Sequence, residues 1–62
     1  MENEVKPLRL LTVSETAELL SVSKRTLERM IRRNEFPAFK VGGQWRINES
    51  HLAKWIRGIS EL

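Results

Sequence analysis

Apolar residues follow two periods along this chain. Val13, Ala17 and Leu20 are spaced four and then three apart, the step of one helix face, and Leu27, Met30 and Ile31 repeat it. Phe39 and Val41, then Trp45 and Ile47, alternate with polar neighbours on either side of Gly42-Gly43, the pattern of two strands and their turn. The helical step returns with Leu52, Trp55, Ile56 and Ile59.

Boundary residues sharpen these elements. Thr12 and Glu15 match the capping box, in which a hydroxyl and a carboxylate satisfy each other's free backbone amides, and Ser14 competes as the cap. A first helix is expected from about Val13 to Leu20, burying Val13, Ala17 and Leu20. Ser23 is a good N-cap for a second, from Lys24 to about Arg33. Only Ser21-Val22-Ser23 separate the two, the spacing of a helix-turn-helix. Val22 is expected to point inward, and Ala17 to allow close approach where the helices cross. Asn34 tolerates the left-handed conformation that ends a helix, and Phe36-Pro37 then holds the chain extended.

The hairpin is expected to bury Phe39 and Val41 with Trp45 and Ile47, leaving Lys40 and Arg46 together on the outer face. That arrangement opposes Val41 to Trp45 through a three-residue connection, Gly42-Gly43-Gln44. Asn48 caps a third helix with Glu49 in its first turn, where the dipole favours an acid. Leu52, Trp55, Ile56 and Ile59 are expected to close the core, with Lys54 and Arg57 outside. Gly58 weakens this helix towards Leu62. Leu10-Leu11 adds a short extended segment. Residues 1–9, polar and aperiodic around Pro7, read as a flexible arm, and 10–62 as one domain.

Charge changes the picture most at the second helix. Between Ser23 and Arg33 stand Lys24, Arg25, Arg29, Arg32 and Arg33 against the single acid Glu28, a net +4 in a chain whose total is +3. Positive charge is concentrated rather than spread, which points to a polyanion such as nucleic acid. Other classes recede. With 62 residues there is room for one small core. Cysteine is absent and His51 is the only histidine, so no disulfide, metal site or cofactor is expected. No nucleophile with a base beside it, phosphate loop or carboxylate pair suggests an enzyme. No apolar run approaches the roughly 20 residues of a membrane span, and residues 1–7 lack the features of a signal peptide. A cytoplasmic protein, nucleoid-associated when bound, is expected.

The run from Leu11 through Thr26-Leu27, followed by Phe36-Pro37, Val41-Gly42 and Trp45-Arg46-Ile47, resembles the excisionase-family DNA-binding domain, a MerR-like winged helix-turn-helix. The likeness covers about Leu10 to Ile56. It implies a mainly α fold with a small β-hairpin, three helices plus a wing. It further implies that the second helix enters the major groove while the hairpin follows the adjacent backbone or minor groove. Groove-facing residues then become Ser23, Lys24, Arg25, Thr26, Glu28, Arg29 and Arg32 or Arg33, with Lys40, Gly43, Gln44 and Arg46 in the wing. Ser21 stands where the family pattern usually has glycine, implying a different turn or modest strain. The dimerising coiled coil and effector site of MerR regulators have no counterpart in this stretch, so no small-molecule ligand is expected.

Arg25 and Arg29 are the expected base readers, because arginine can grip guanine O6 and N7 together. Lys24, Arg32, Arg33 and Lys40 suit phosphates. Glu28 is expected to pair with Arg32 four residues on, with a cytosine amine as its other possible partner. Trp45 and Trp55 are expected in the core and His51 on the surface. The function implied is sequence-specific binding of double-stranded DNA, as a recombination directionality factor that bends an attachment site. Alternatives are a small transcriptional regulator, or an adaptor that docks on an integrase through the third helix. A monomer in solution that binds cooperatively along DNA is expected.

Overall fold

A computed structural model describes residues 9–60. Strand β1 (Leu10–Leu11) leads into helices α1 (Val13–Leu20) and α2 (Lys24–Arg32). Strands β2 (Phe39–Val41) and β3 (Gln44–Asn48) form the wing, and α3 (Glu49–Ser60) follows. This is a mainly helical winged helix-turn-helix. All but Arg9 of the expected N-terminal arm, and Leu62 at the other end, lie outside the described residues.

Both short helices are set by their ends. The Thr12 hydroxyl accepts from the Glu15 amide at 3.1 Å, and the Glu15 carboxylate accepts from the Thr12 amide at 2.9 Å. Thr12, rather than Ser14, is therefore the cap. The Thr12 amide's hydrogen bond holds Glu15 below its ordinary value, against the opposing effect of desolvation; the Thr12 hydroxyl and the charges of Arg9 and Arg46 lower it further, each by less. The α1 backbone ends on Ser21, left-handed at φ 58°. There the Val22 amide donates to Ala17 O at 3.0 Å and the Ser21 amide to Glu18 O at 3.1 Å, a Schellman pair. Asn34, also at φ 58°, ends α2 the same way, with Glu35 donating to Met30 O at 2.9 Å and Asn34 to Ile31 O at 3.1 Å. Two residues that carry a Cβ thus occupy positions that glycine fills at least cost.

The core gathers one or two residues from nearly every element: Leu11, Val13, Ala17, Leu27, Ile31, Phe36, Ile47 and Leu52. Leu27 and Ile47 are wholly buried. So is Thr16, to which the sequence assigns no role; its hydroxyl donates to Thr12 O at 2.9 Å, so the polar group is satisfied inside its own helix. Leu20, Met30, Trp45 and Trp55 pack around this centre half-buried, and Trp55 meets Phe36 edge-on with ring centroids 4.7 Å apart. Asn48 caps α3 as expected, its Oδ1 accepting from the Ser50 amide at 2.8 Å.

Three expectations about packing and register fail, all at the periphery. Val22, at 38% exposure in the three-residue turn, lies at the surface rather than inward. Ile56 and Ile59, at 42% and 50% exposure, lie beyond the reach of the small sheet and do not close the core. The hairpin also takes a different register: Val41 pairs with Gln44, Lys40 with Trp45 and Phe39 with Arg46. The turn is therefore Gly42-Gly43 alone, with φ 58° and 82°, the mirror-image turn whose twist suits a hairpin and which needs positive φ at both positions. The three-residue connection assumed that Val41 would be buried. Here β2 projects past the core, Phe39 and Val41 are exposed, and turn geometry decides instead.

One consequence reaches the site. Residues directly opposite each other share a face, so Lys40 lies with Trp45, its Nζ 5.1 Å from the ring centroid, and Arg46 lies on the other face with Phe39. Lys40 and Arg46 do not share the outer face. The third strand, β1, adds to β3 on the side away from β2, pairing Leu10 with Asn48 and Leu11 with Ile47.

Candidate nucleic-acid interface

The stripe of α2 that holds Leu27 and Ile31 in the core leaves its opposite side to solvent. Lys24, Arg25, Arg29 and Arg32 are exposed there and line one shallow surface with Glu28. Because the helix is anchored through wholly buried Leu27, this cationic face is held on a rigid element rather than a loop. Ser23 fixes where the face begins. Its Oγ accepts from the Thr26 amide at 3.0 Å and donates to the Thr26 hydroxyl at 2.8 Å.

A second cleft opens beside the first. Lys24 and Glu28 of α2 meet Gly43, Gln44 and Arg46 of the wing there, together with Thr12 and Ser14 at the start of α1. Arg46 is preset within it: one guanidinium nitrogen donates to Trp45 O at 2.8 Å and another to Gln44 Oε1 at 2.7 Å. Holding the long side chain in advance reduces the entropy lost when it meets a ligand. Gly43 lies at the wing tip with φ 82° and open space where a Cβ would stand, so its glycine answers to the turn's backbone and not to crowding.

Of the residues singled out in the sequence, the fold brings Lys24, Arg25, Glu28, Arg29, Arg32, Gly43, Gln44 and Arg46 to these two adjoining surfaces. Ser23 and Thr26 serve the N-cap. Arg33 is the residue at which α2 ends, and Lys40 lies over Trp45; neither lines the two surfaces. Thr12 and Ser14 join the cleft without having been expected there. Their caps are readable from sequence, but their approach to the wing depends on how β3 packs against α1. The anticipated pair of Glu28 with Arg32 does not form among the described residues, where the ion pair seen joins exposed Arg9 and Glu49 at 3.8 Å.

The described residues hold no group of three or more histidine, acidic or cysteine side chains suited to a metal ion. No described helix is long and apolar enough to cross a membrane. His51 is exposed in the first turn of α3.

A rigid basic helix following a tight turn, beside a hairpin that brings an arginine to its flank, defines a winged helix-turn-helix module. Residues 10–60 match the helix-turn-helix domain family model, and the chain belongs to that family. It is 40% identical over 48 residues to a Mycobacterium tuberculosis protein named "putative DNA-binding protein" in strain H37Rv, and equally to its namesake in strain CDC 1551 / Oshkosh. These alignments cover 77% of this chain and 62% of the relatives, so the chain spans under two thirds of their length. An uncharacterized Bacillus subtilis strain 168 protein, YvgK, is 41% identical over 44 residues, covering 71% of this chain but 14% of that protein. No solved structure gives a significant match.

Proposed function

We propose that this protein binds double-stranded DNA sequence-specifically and without catalysis, α2 lying in the major groove and the wing against the neighbouring backbone. The observation that carries this reading is the exposed face of Lys24, Arg25, Arg29 and Arg32 on a helix whose other side is locked in the core. Arg25 and Arg29 read guanines, while Lys24, Arg32 and Arg46 hold phosphates. The names of the M. tuberculosis relatives agree with it. The finer assignment is a recombination directionality factor that bends an attachment site and favours excision. It rests on the resemblance of Leu11–Leu27 and Trp45–Ile47 to excisionase domains.

Fluorescence anisotropy with a random duplex, titrated with salt, tests the binding. Four to six cationic contacts predict a log–log slope of roughly −4 to −5. Arg25→Ala with Arg29→Ala is expected to cost about thirtyfold or more in preference for a selected site over random duplex, with an unchanged circular dichroism spectrum. Undetectable binding at low salt would overturn the reading. A reconstituted excision assay with the cognate integrase then separates a directionality factor from a transcriptional regulator.

The exposure of Ile56 and Ile59 on α3 favours a second reading, docking on a larger protein such as an integrase. The two are compatible, since α3 and the basic face of α2 use different residues.

A further inference from the structure

Glu28 is the one acid on the basic face, and with Lys24 it occupies the seam where the two surfaces join. It lines the face with Lys24, Arg25, Arg29 and Arg32 and also the cleft with Lys24, Gln44 and Arg46. The cations of α2 beside it are exposed, whereas Glu28, like Arg46 of the wing, is half-buried. Lys24 and Arg32 each stand four residues away, the spacing for an ion pair, yet among the described residues neither pairs with it. A carboxylate among these cations lowers the positive potential of the face and weakens its attraction to any polyanion. A phosphate cannot be its partner, because an ionised carboxylate only accepts hydrogen bonds.

The DNA chemistry that fits such a group is narrow. In the major groove guanine and thymine offer acceptors at this edge, which repel a carboxylate. Adenine offers its N6 amine with the N7 acceptor beside it, whereas cytosine offers its N4 amine alone. We propose that Glu28 is a specificity-determining residue that selects a cytosine by accepting from its N4 amine. The inference rests on the double-stranded DNA reading above and deepens it. Arg25 and Arg29, on either side of Glu28 in the sequence, favour guanine, so the preferred site is G·C-rich beneath α2.

The test is selection of the full chain against short duplexes with a randomised centre, followed by sequencing, for the wild type, Glu28→Gln and Glu28→Ala. The wild type is expected to enrich cytosine at one position. Glutamine carries both a donor and an acceptor and should move that position to adenine, while alanine should leave it without preference. Discrimination at that position should fall about tenfold or more in Glu28→Ala, with the other positions and the thermal midpoint unchanged. Identical sites for all three proteins would overturn the assignment. A uniform loss of preference at every position would overturn it too, showing that Glu28 only shapes the cleft. If the wild type bound no duplex in the pool, this inference would fall together with the DNA reading, a result distinct from both.

Discussion

Helices α2 and α3 are both amphipathic, but they use their apolar faces differently. In α2 the apolar stripe ends where the core ends: Leu27 and Ile31 are buried, Met30 is half-buried, and everything beyond is charged except Thr26 at the N-cap. In α3 the stripe outruns the core. Leu52 is buried and Trp55 half-covered, but Ile56 and Ile59 continue the same spacing into solvent. Helix α2 has little apolar surface to spare and offers a partner mainly charge. Helix α3 has apolar surface that this fold does not use. Packing partners explain the contrast, since α2 lays its short stripe on α1, whereas the 12-residue α3 rests on the single five-residue strand β3, which is too short to cover it.

The largest expected effect lies on α2. Leu27→Ala should cost about 2–5 kcal/mol, since the side chain is wholly buried. A domain of this size has only about 3–9 kcal/mol to lose, so urea unfolding should show most of the stability gone. The turn that places α2 comes next. Ser21 sits at φ 58°, where a side chain is strained, and Ser21→Gly should raise stability by about 0.5–1 kcal/mol in the same assay. Asn34→Gly should gain less, because asparagine tolerates that conformation better. On α3, Ile56→Ser with Ile59→Ser should change stability by no more than about 0.5 kcal/mol, as exposed positions do. A large loss there would mean that the outer stripe belongs to the core after all, and the comparison with α2 would fail.

The smallest effect concerns pH. Glu15 has its carboxyl lowered by the Thr12 amide, so its contribution is present above the usual carboxylate range and is lost as pH falls through its depressed pKa. The difference in thermal midpoint between wild type and Glu15→Gln should therefore shrink on acidification from neutral pH. A difference that stayed constant or grew would show that the charge of Glu15 is not what matters at the start of α1.

Local signals explain which parts of the fold could be read in the sequence. Thr12, Ser23, Asn34 and Asn48 act on backbone groups within a few residues, so the span Val13–Leu20 and the start and end of α2 follow from short-range chemistry. The register of the wing was misread because alternation identifies a strand's faces without saying which one the core reaches. Phe39 and Val41 alternate as buried residues would, and remain exposed. For the same reason Ile56 and Ile59 reveal a helix but not how far its packing extends. At the site, the cationic face of α2 was legible because helical spacing alone creates it. The cleft that joins Glu28 to Gln44, Arg46 and Thr12 was not, since it arises only when the wing folds against α1 and α2.

The two tryptophans stand in separate neighbourhoods, Trp45 beneath the Lys40 ammonium in the wing and Trp55 of α3 against Phe36. The molecule therefore carries two optical reporters, and replacing either with phenylalanine isolates the other. With Trp45 alone, emission would follow a ligand entering the cleft that Trp45 lines with Gln44 and Arg46. With Trp55 alone, it would follow the loosening of the interior, so engagement and unfolding could be watched in one cuvette without a label.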